Sequence, residues 1–257
     1  MKKTETKNNF IKKYIFLFII LGVWITGSSL SWWSSYIIPS PMRVLSTAVK
    51  LIKNGELLKH LTISFSRIFS GFFITFIIAV PSAVLFGMFP KVHNYFKGIL
   101  EFMRHTPPLA LIPMIILWFG IGELSKIIII ILASFFPVFL NTLKGIQSCD
   151  KKIIEVGQVF NFTKYEIFKK IILPSAVPDI LTGIKLGIGY SWRSIIGAEM
   201  IAASSGIGYL ILDGQQMSRS DVIVVGILSI GIFGSVTDYI CSKAIEKYIK
   251  RRGVFHE

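Results

Sequence analysis

The sequence predicts an all-α integral membrane protein with six transmembrane helices, and three observations carry that prediction. First, 53% of the 257 residues are hydrophobic and only 16% are charged. An ordinary soluble domain carries about a quarter charged residues, so this chain has too few polar side chains to coat a water-facing surface. Second, apolar runs of about twenty residues recur, each long enough to cross a ~30 Å hydrocarbon layer as a helix. Third, the 28 Lys and Arg residues, against 14 Asp and Glu, gather in alternate connections between those runs. A soluble nucleic-acid binder shares a net charge of +14 but not a mean hydropathy of +0.65, so no nucleic acid is expected as a partner. Cys149 and Cys241 are too few for a disulfide framework.

Tyr14 to Trp33 is the first run. It is too long for the apolar part of a signal peptide, and Trp32-Trp33 stands where a small-residue cleavage site belongs. Ile68 to Phe89 is the second and Ile127 to Leu143 a later one. Between them, Phe96 to Gly122 holds Glu101, Arg104, His105 and Pro107-Pro108, and reads as one span interrupted at the double proline. Pro178 to Ala198 is the fifth despite Lys185 and Arg193, and Val222 to about Cys241 the sixth. Ile201 to Leu212 is apolar but short and rich in Gly and Ser, as in a re-entrant or interfacial segment. Residues 1–13 then form a tail, 14–245 the membrane domain and 246–257 a basic tail.

Charge fixes the predicted orientation. Eighteen basic residues fall in the N-terminal tail, the second and fourth connections and the C-terminus, and six fall in the opposite connections. Basic connections stay inside, so both termini are expected in the cytoplasm of a multi-pass protein of a bacterial plasma (inner) membrane. The outer segment Pro39 to His60 is more polar. Val44, Leu45, Ala48, Leu51 and Ile52 recur there at helical spacing, which predicts an amphipathic helix along the outer surface. Glu56 and His60, four apart, share a face but lack a third metal ligand and read as a solvated pair.

The connection Asp150 to Pro174 carries unusually dense local signals. Asp150 caps a short helix through Glu155 to Phe160. Asn161 tolerates the left-handed conformation where that helix ends. Thr163 and Glu166 form a capping box for a second helix, whose apolar stripe is Tyr165, Phe168, Ile171 and Ile172. Leu173-Pro174 is expected to stop it. A loop that merely joined two spans would not need these features.

Glu155-Val156-Gly157, then Asn161, Phe168, Ile171 and Leu173-Pro174, resemble the EAA loop of the permease subunits of ABC importers. Ile38-Pro39-Ser40-Pro41, Pro107-Pro108-Leu109-Ala110, Leu117 to Lys126, Gly197 to Met200 and Ala203 to Ile211 resemble the nitrate, sulfonate, taurine and bicarbonate branch. The resemblance runs in order from about Pro39 to Leu212. It implies an importer-type permease fold in which 145–174 is a cytoplasmic coupling loop that docks into a cleft on an ABC ATPase subunit. Glu155 carries over as the acidic contact, Val156 and Gly157 as small docking positions, and Asn161 as the corner where the family usually has Gly. Phe168, Leu173 and Pro174 complete the pattern. The resemblance also implies two ATPase subunits, a permease homodimer, surrounding membrane lipid and an extracytoplasmic solute-binding protein that delivers a small anion. A thiamine-precursor-type heterocycle is the alternative solute. No cofactor or metal is implied.

Ionic side chains within spans are costly and face the bundle interior or water, which singles out Arg193 and Glu199. Six residues apart, they do not share a helix face, so one reaches another span or Glu199 lies at the outer end. They either line a path for an anion or anchor the helix. The resemblance adds Met200, Ser204, Ser205 and Gly206 as gate, path or receptor contacts. Arg104 with His105 reads as positional. Gly183-x-x-x-Gly187 allows close helix approach without naming a partner. Trp32, Trp33, Trp118 and Tyr209 read as interfacial anchors. The chain has no phosphate-binding Gly-x4-Gly-Lys-Ser/Thr loop, so ATP hydrolysis is assigned to a partner and no enzymatic activity is expected here. A secondary transporter would need inverted repeats, and no convincing repeat is visible.

Overall fold

The computed structural model describes the backbone of residues 2–252, and the side chains of 15, 16 and 18–249. Among the described residues it is helical, without strands. The helices are α1 (Lys2–Ser29), α2 (Pro41–Lys53), α3 (Glu56–Met88), α4 (Pro90–His105), α5 (Ile112–Phe119), α6 (Glu123–Gln147), α7 (Lys151–Val159), α8 (Lys164–Ile167), α9 (Leu173–Ala202), α10 (Ile207–Gln216) and α11 (Ser220–Arg252). Four stretches are long and apolar enough to cross a membrane: Glu56–Met88, Glu123–Gln147, Lys164–Ala202 and Ser220–Ile249. α4 with Pro108–Phe119 makes a fifth, bent by 83°. In α1 only Phe18–Ser29 counts as apolar helix among the described residues. That helix ends four residues short of Trp33, with Ser31 in a left-handed turn.

The bend in the fifth stretch sits at the double proline. Thr106 and Pro107 each precede a proline and both adopt extended backbone, which a helix cannot contain. A 3₁₀ turn over Pro108–Leu111 then restarts the chain in a new direction.

α3 begins a dozen residues before the charge-free run that predicts it. Leu57, Leu61, Ser64, Ile68 and Gly71 continue one buried stripe upstream, while Lys59 faces outward. Gly55, at φ 76°, breaks the chain between α2 and α3. The outer segment is therefore two helices, and His60 belongs to a span. α2 lays Val44, Thr47 and Leu51 against a core of Leu57, Leu61, Ile207, Leu210, Ile211, Val222 and Val225, and leaves Met42, Leu45 and Ile52 exposed. Thr47 Oγ1 donates to Asp221 Oδ2 at 2.6 Å, fixing α2 to α11.

α6 is the centre of the bundle, with α3 on one side and α9 on the other. The Gly183-x-x-x-Gly187 notch of α9 faces α6. A Cβ on Gly187 would stand 2.7 Å from Val138 Cγ2 and 2.8 Å from Phe72 Cε2, so only glycine lets the helices approach this closely. Outside this core, Phe69, Phe73 and Ile77 of α3 and Ile227 and Ile232 of α11 are exposed, as a lipid-facing surface requires.

The expected stop at Leu173-Pro174 is absent. The chain widens into a π-helical turn over Phe168–Ile172 and continues into α9, so helix is unbroken from Lys164 to Ala202. Proline lacks an N–H and its ring collides with the carbonyl four residues back. One π turn relieves both problems without ending the helix.

Candidate functional site

The candidate side chains gather at the two ends of α6, whose 25 residues separate them by ~38 Å. At the C-terminal end stands the α7–α8 corner. Asp150 accepts from the Lys152 amide at 2.9 Å and caps α7. Asn161, at φ 57°, ends it in a Schellman arrangement: the Asn161 amide donates to the Gln158 carbonyl and the Phe162 amide to the Gly157 carbonyl. The Thr163–Glu166 capping box is fully formed, and Lys170 donates to Glu166 at 2.9 Å.

This corner is tied to the bundle. Ile154, Phe162, Phe168, Ile171 and Leu173 pack on a core of Ile146, Cys149, Ile167, Ile172, Ala176 and Ile180, and Pro174 lies half-buried where the loop enters α9. Glu155, Val156, Val159 and Phe160 are left exposed on the open side. Of the two small positions expected to face a partner, Val156 is exposed and Gly157 is not. Gly157 is buried, and a Cβ there would stand 2.6 Å from Ile171 Cδ1, so its smallness serves the corner itself. Tyr165 also leaves the expected stripe and is exposed.

At the opposite end, Glu199 is fully buried and reaches across to α3. Its Oε1 accepts from Arg67 Nη1 at 2.8 Å, its Oε2 from the Gly208 amide at 2.9 Å, and the Ser64 hydroxyl donates to the carboxylate at 2.8 Å. Ser64 in turn accepts from the Ile207 amide at 2.9 Å. Glu199 thus sits at the N-terminus of α10, where free amides and the helix dipole favour an anion. Gly206, at φ 111°, makes the turn, and a Cβ there would strike the Glu199 carboxyl.

Arg67 uses its whole guanidinium. Nε and Nη2 each lie 2.6 Å from Glu123, Nη1 reaches the Ser205 carbonyl at 2.7 Å, and Nη2 the Ser205 hydroxyl at 3.1 Å. Lys126, counted by sequence among the six basic residues of the outer connections, is instead buried in α6 and donates to Glu123 at 2.9 Å. Bidentate guanidinium–carboxylate geometry makes these the strong kind of ionic hydrogen bond.

Sequence reasoning found Glu199, Ser205 and Gly206 but not Arg67, Glu123, Ser64 or Lys126. The available signal was Arg67 itself, the lone charge between His60 and Lys91. The expected Glu56–His60 solvated pair is corrected: His60 is buried, accepts from the Gly206 amide at 3.0 Å and lies 5.8 Å from the Tyr209 ring. Tyr209 is half-buried beside that ring. Trp33 folds over Gly27, whereas Trp32 and Trp118 are exposed as anchors require.

Arg193 stands apart from Glu199. It is exposed, lies 5.4 Å from the Tyr190 ring and lines a cavity of about 520 Å³ between α9 and α11. Met200 is half-buried beside the α10–α11 core, and Ser204 is exposed at the turn. No group of His, Cys, Asp and Glu among the described residues has metal-site geometry.

Residues 71–252 match the family described as binding-protein-dependent transport system inner membrane component. The chain belongs to this family. It is 36% identical over 92% of its length to the putative aliphatic sulfonates transport permease protein SsuC of Bacillus subtilis, covering 86% of that protein. The taurine transport system permease protein TauC of Escherichia coli is 34% identical, over 84% of this chain and 80% of its own. The nitrate import permease protein NrtB of Synechocystis is 31% identical, over 78% and 76%. A chain of the inward-facing MetNI methionine ABC transporter superposes with a TM-score of 0.65 at 16% identity, over 74% of this chain and 95% of that one. The family member described here is a multi-pass membrane transport component, an ABC importer permease and not an enzyme.

Proposed function

We propose that this permease contributes a small-anion path to an ATP-driven importer, is driven by an ABC ATPase docked on the open side of α7, and receives its solute from an extracytoplasmic binding protein. The observation that carries the reading is the α7 corner. A short helix exposes Glu155, Val156, Val159 and Phe160 while its other face is keyed into the α3–α6–α9 core, which suits a part that transmits a push. Two copies of the chain form the path, in six spans each, with both termini in the cytoplasm beside the basic connections. The Glu199 end then faces outward, where Ser204, Ser205 and Gly206 meet arriving solute. The relatives named for sulfonates, taurine and nitrate support an anionic solute.

Glu155→Arg tests the docking. The substituted residue is exposed, so the permease should reach the membrane at normal abundance while its ATPase no longer co-purifies and ATP-dependent uptake into vesicles is lost. Normal co-purification and uptake would remove α7 as the docking element.

A further inference from the structure

Two cavities lie end to end along α6. One, of about 440 Å³, opens between α4 and the C-terminal end of α6. The other, of about 320 Å³, runs between α6 and α9 beside the double-proline bend. Arg104 and Leu140 line both, so the two form one groove with Arg104 at the junction.

The groove is electropositive by composition. His93, Lys97, Glu101 and Arg104 fall at helical spacing on one face of α4, and Lys144 faces them from α6. Lys144 is paired with Asp179 at 3.2 Å, and Glu101 offsets one further charge, which leaves one permanent cation in excess. Arg104 meets only the His105 ring, at 3.4 Å, and no carboxylate among the described residues. α4 buries none of its residues and turns Tyr95, Ile99 and Phe102 outward, so the basic face is the one directed into the cavity. A guanidinium free of carboxylates, in a groove with apolar walls such as Leu132 and Phe136, is suited to bind an oxyanion through paired N–H groups.

We propose that the α4–α6 groove is an oxyanion-binding site and that Arg104 is its principal contact, with Lys97 and Lys144 as supporting charges. Arg104 is then more than the positional residue its sequence context suggests. The role of the site in transport rests on the importer reading, while its existence does not. The oxyanion is either the head of the transported solute or the phosphate of an anionic phospholipid, which basic pockets between membrane helices also bind.

The test uses the full chain assembled with its ATPase subunits in vesicles. Cys149 and Cys241 are replaced by Ser, and a single reporter, Leu140→Cys, is added at the junction. Two methanethiosulfonate reagents are compared, one bearing a sulfonate and one a trimethylammonium group, each normalised to its rate with free cysteine. The sulfonate reagent should react faster, Arg104→Gln should cut that preference about tenfold, and Arg104→Lys should keep most of it. Ser148→Cys, at the exposed mouth of the groove, provides a second reporter should Leu140→Cys not assemble. Protection by added methanesulfonate in phosphatidylcholine vesicles identifies a solute-type ligand. Protection only when phosphatidylglycerol is included identifies a lipid headgroup. Equal rates for the two reagents, or a preference that Arg104→Gln leaves intact, overturns the site. Wild-type uptake of an anion, measured separately, tests the importer reading, so the two failures are distinguishable.

Discussion

Arg67 shows what one residue settles in this protein. It holds Glu123, Glu199 and Ser205 together, and so joins α3, the start of α6 and the turn after α9. The Glu199 carboxylate is fully buried and Arg67 is the cation it pairs with, so removing Arg67 leaves an uncompensated buried charge. Arg67→Ala should lower stability by about 3–5 kcal/mol, read as a loss of thermal stability in detergent. Gly206→Ala should be destabilising by more than about 1 kcal/mol in the same assay, since alanine is strained at φ 111° and its methyl group strikes Glu199. Glu199 was legible in the sequence as an acid in an apolar run, but not its role in accepting an α10 amide, since Ser204, Ser205 and Gly206 entered only through the family resemblance. Its partner was not, because Arg67 lies 132 residues away and local spacing does not say which helices meet.

Among the elements, α7 and α8 were the best specified by sequence, because every signal that builds them is local. The Asp150 cap, the left-handed Asn161 and the Thr163–Glu166 box each act over a few residues and formed as the spacing predicted. The exception is equally informative. Pro174 is a local stop signal, but packing of Ile167, Ile172 and Ala176 on the α6 end holds the chain helical, and a π turn accommodates the ring. Asn161→Gly should preserve or improve uptake and ATPase co-purification. Asn161→Val should reduce both, because a β-branched residue in the left-handed region costs about 1–2 kcal/mol at the turn that orients α7.

For the whole molecule, composition was enough to give the class, and five of the six expected runs meet helices long and apolar enough to cross a membrane, the bent pair counted as one, but their ends were not legible. Charge-free windows mark where lipid begins. They do not mark where a helix begins, and α3 extends a dozen residues past its window because a buried stripe continues there. The double-proline bend and the α6–α9 glycine notch were both visible as motifs, yet only the folded chain supplied the 83° angle and the facing helix. Topology is tested directly by reporter fusions. A phosphatase fused after Arg252 should be inactive, one inserted near Asn54 active, and one at Phe160 inactive.

The helix that runs unbroken from Lys164 to Ala202 has a mechanical consequence. Its 39 residues make a rod of ~58 Å, with the capped corner at one tip and the Glu199 turn at the other. Pivoted near its middle, where the glycine notch rides on Val138, a tilt of ~10° swings the two tips about 5 Å in opposite directions. A displacement at the α7–α8 tip therefore arrives at the Glu199 tip with its sign reversed, and no chain of small side-chain shifts is needed to carry it.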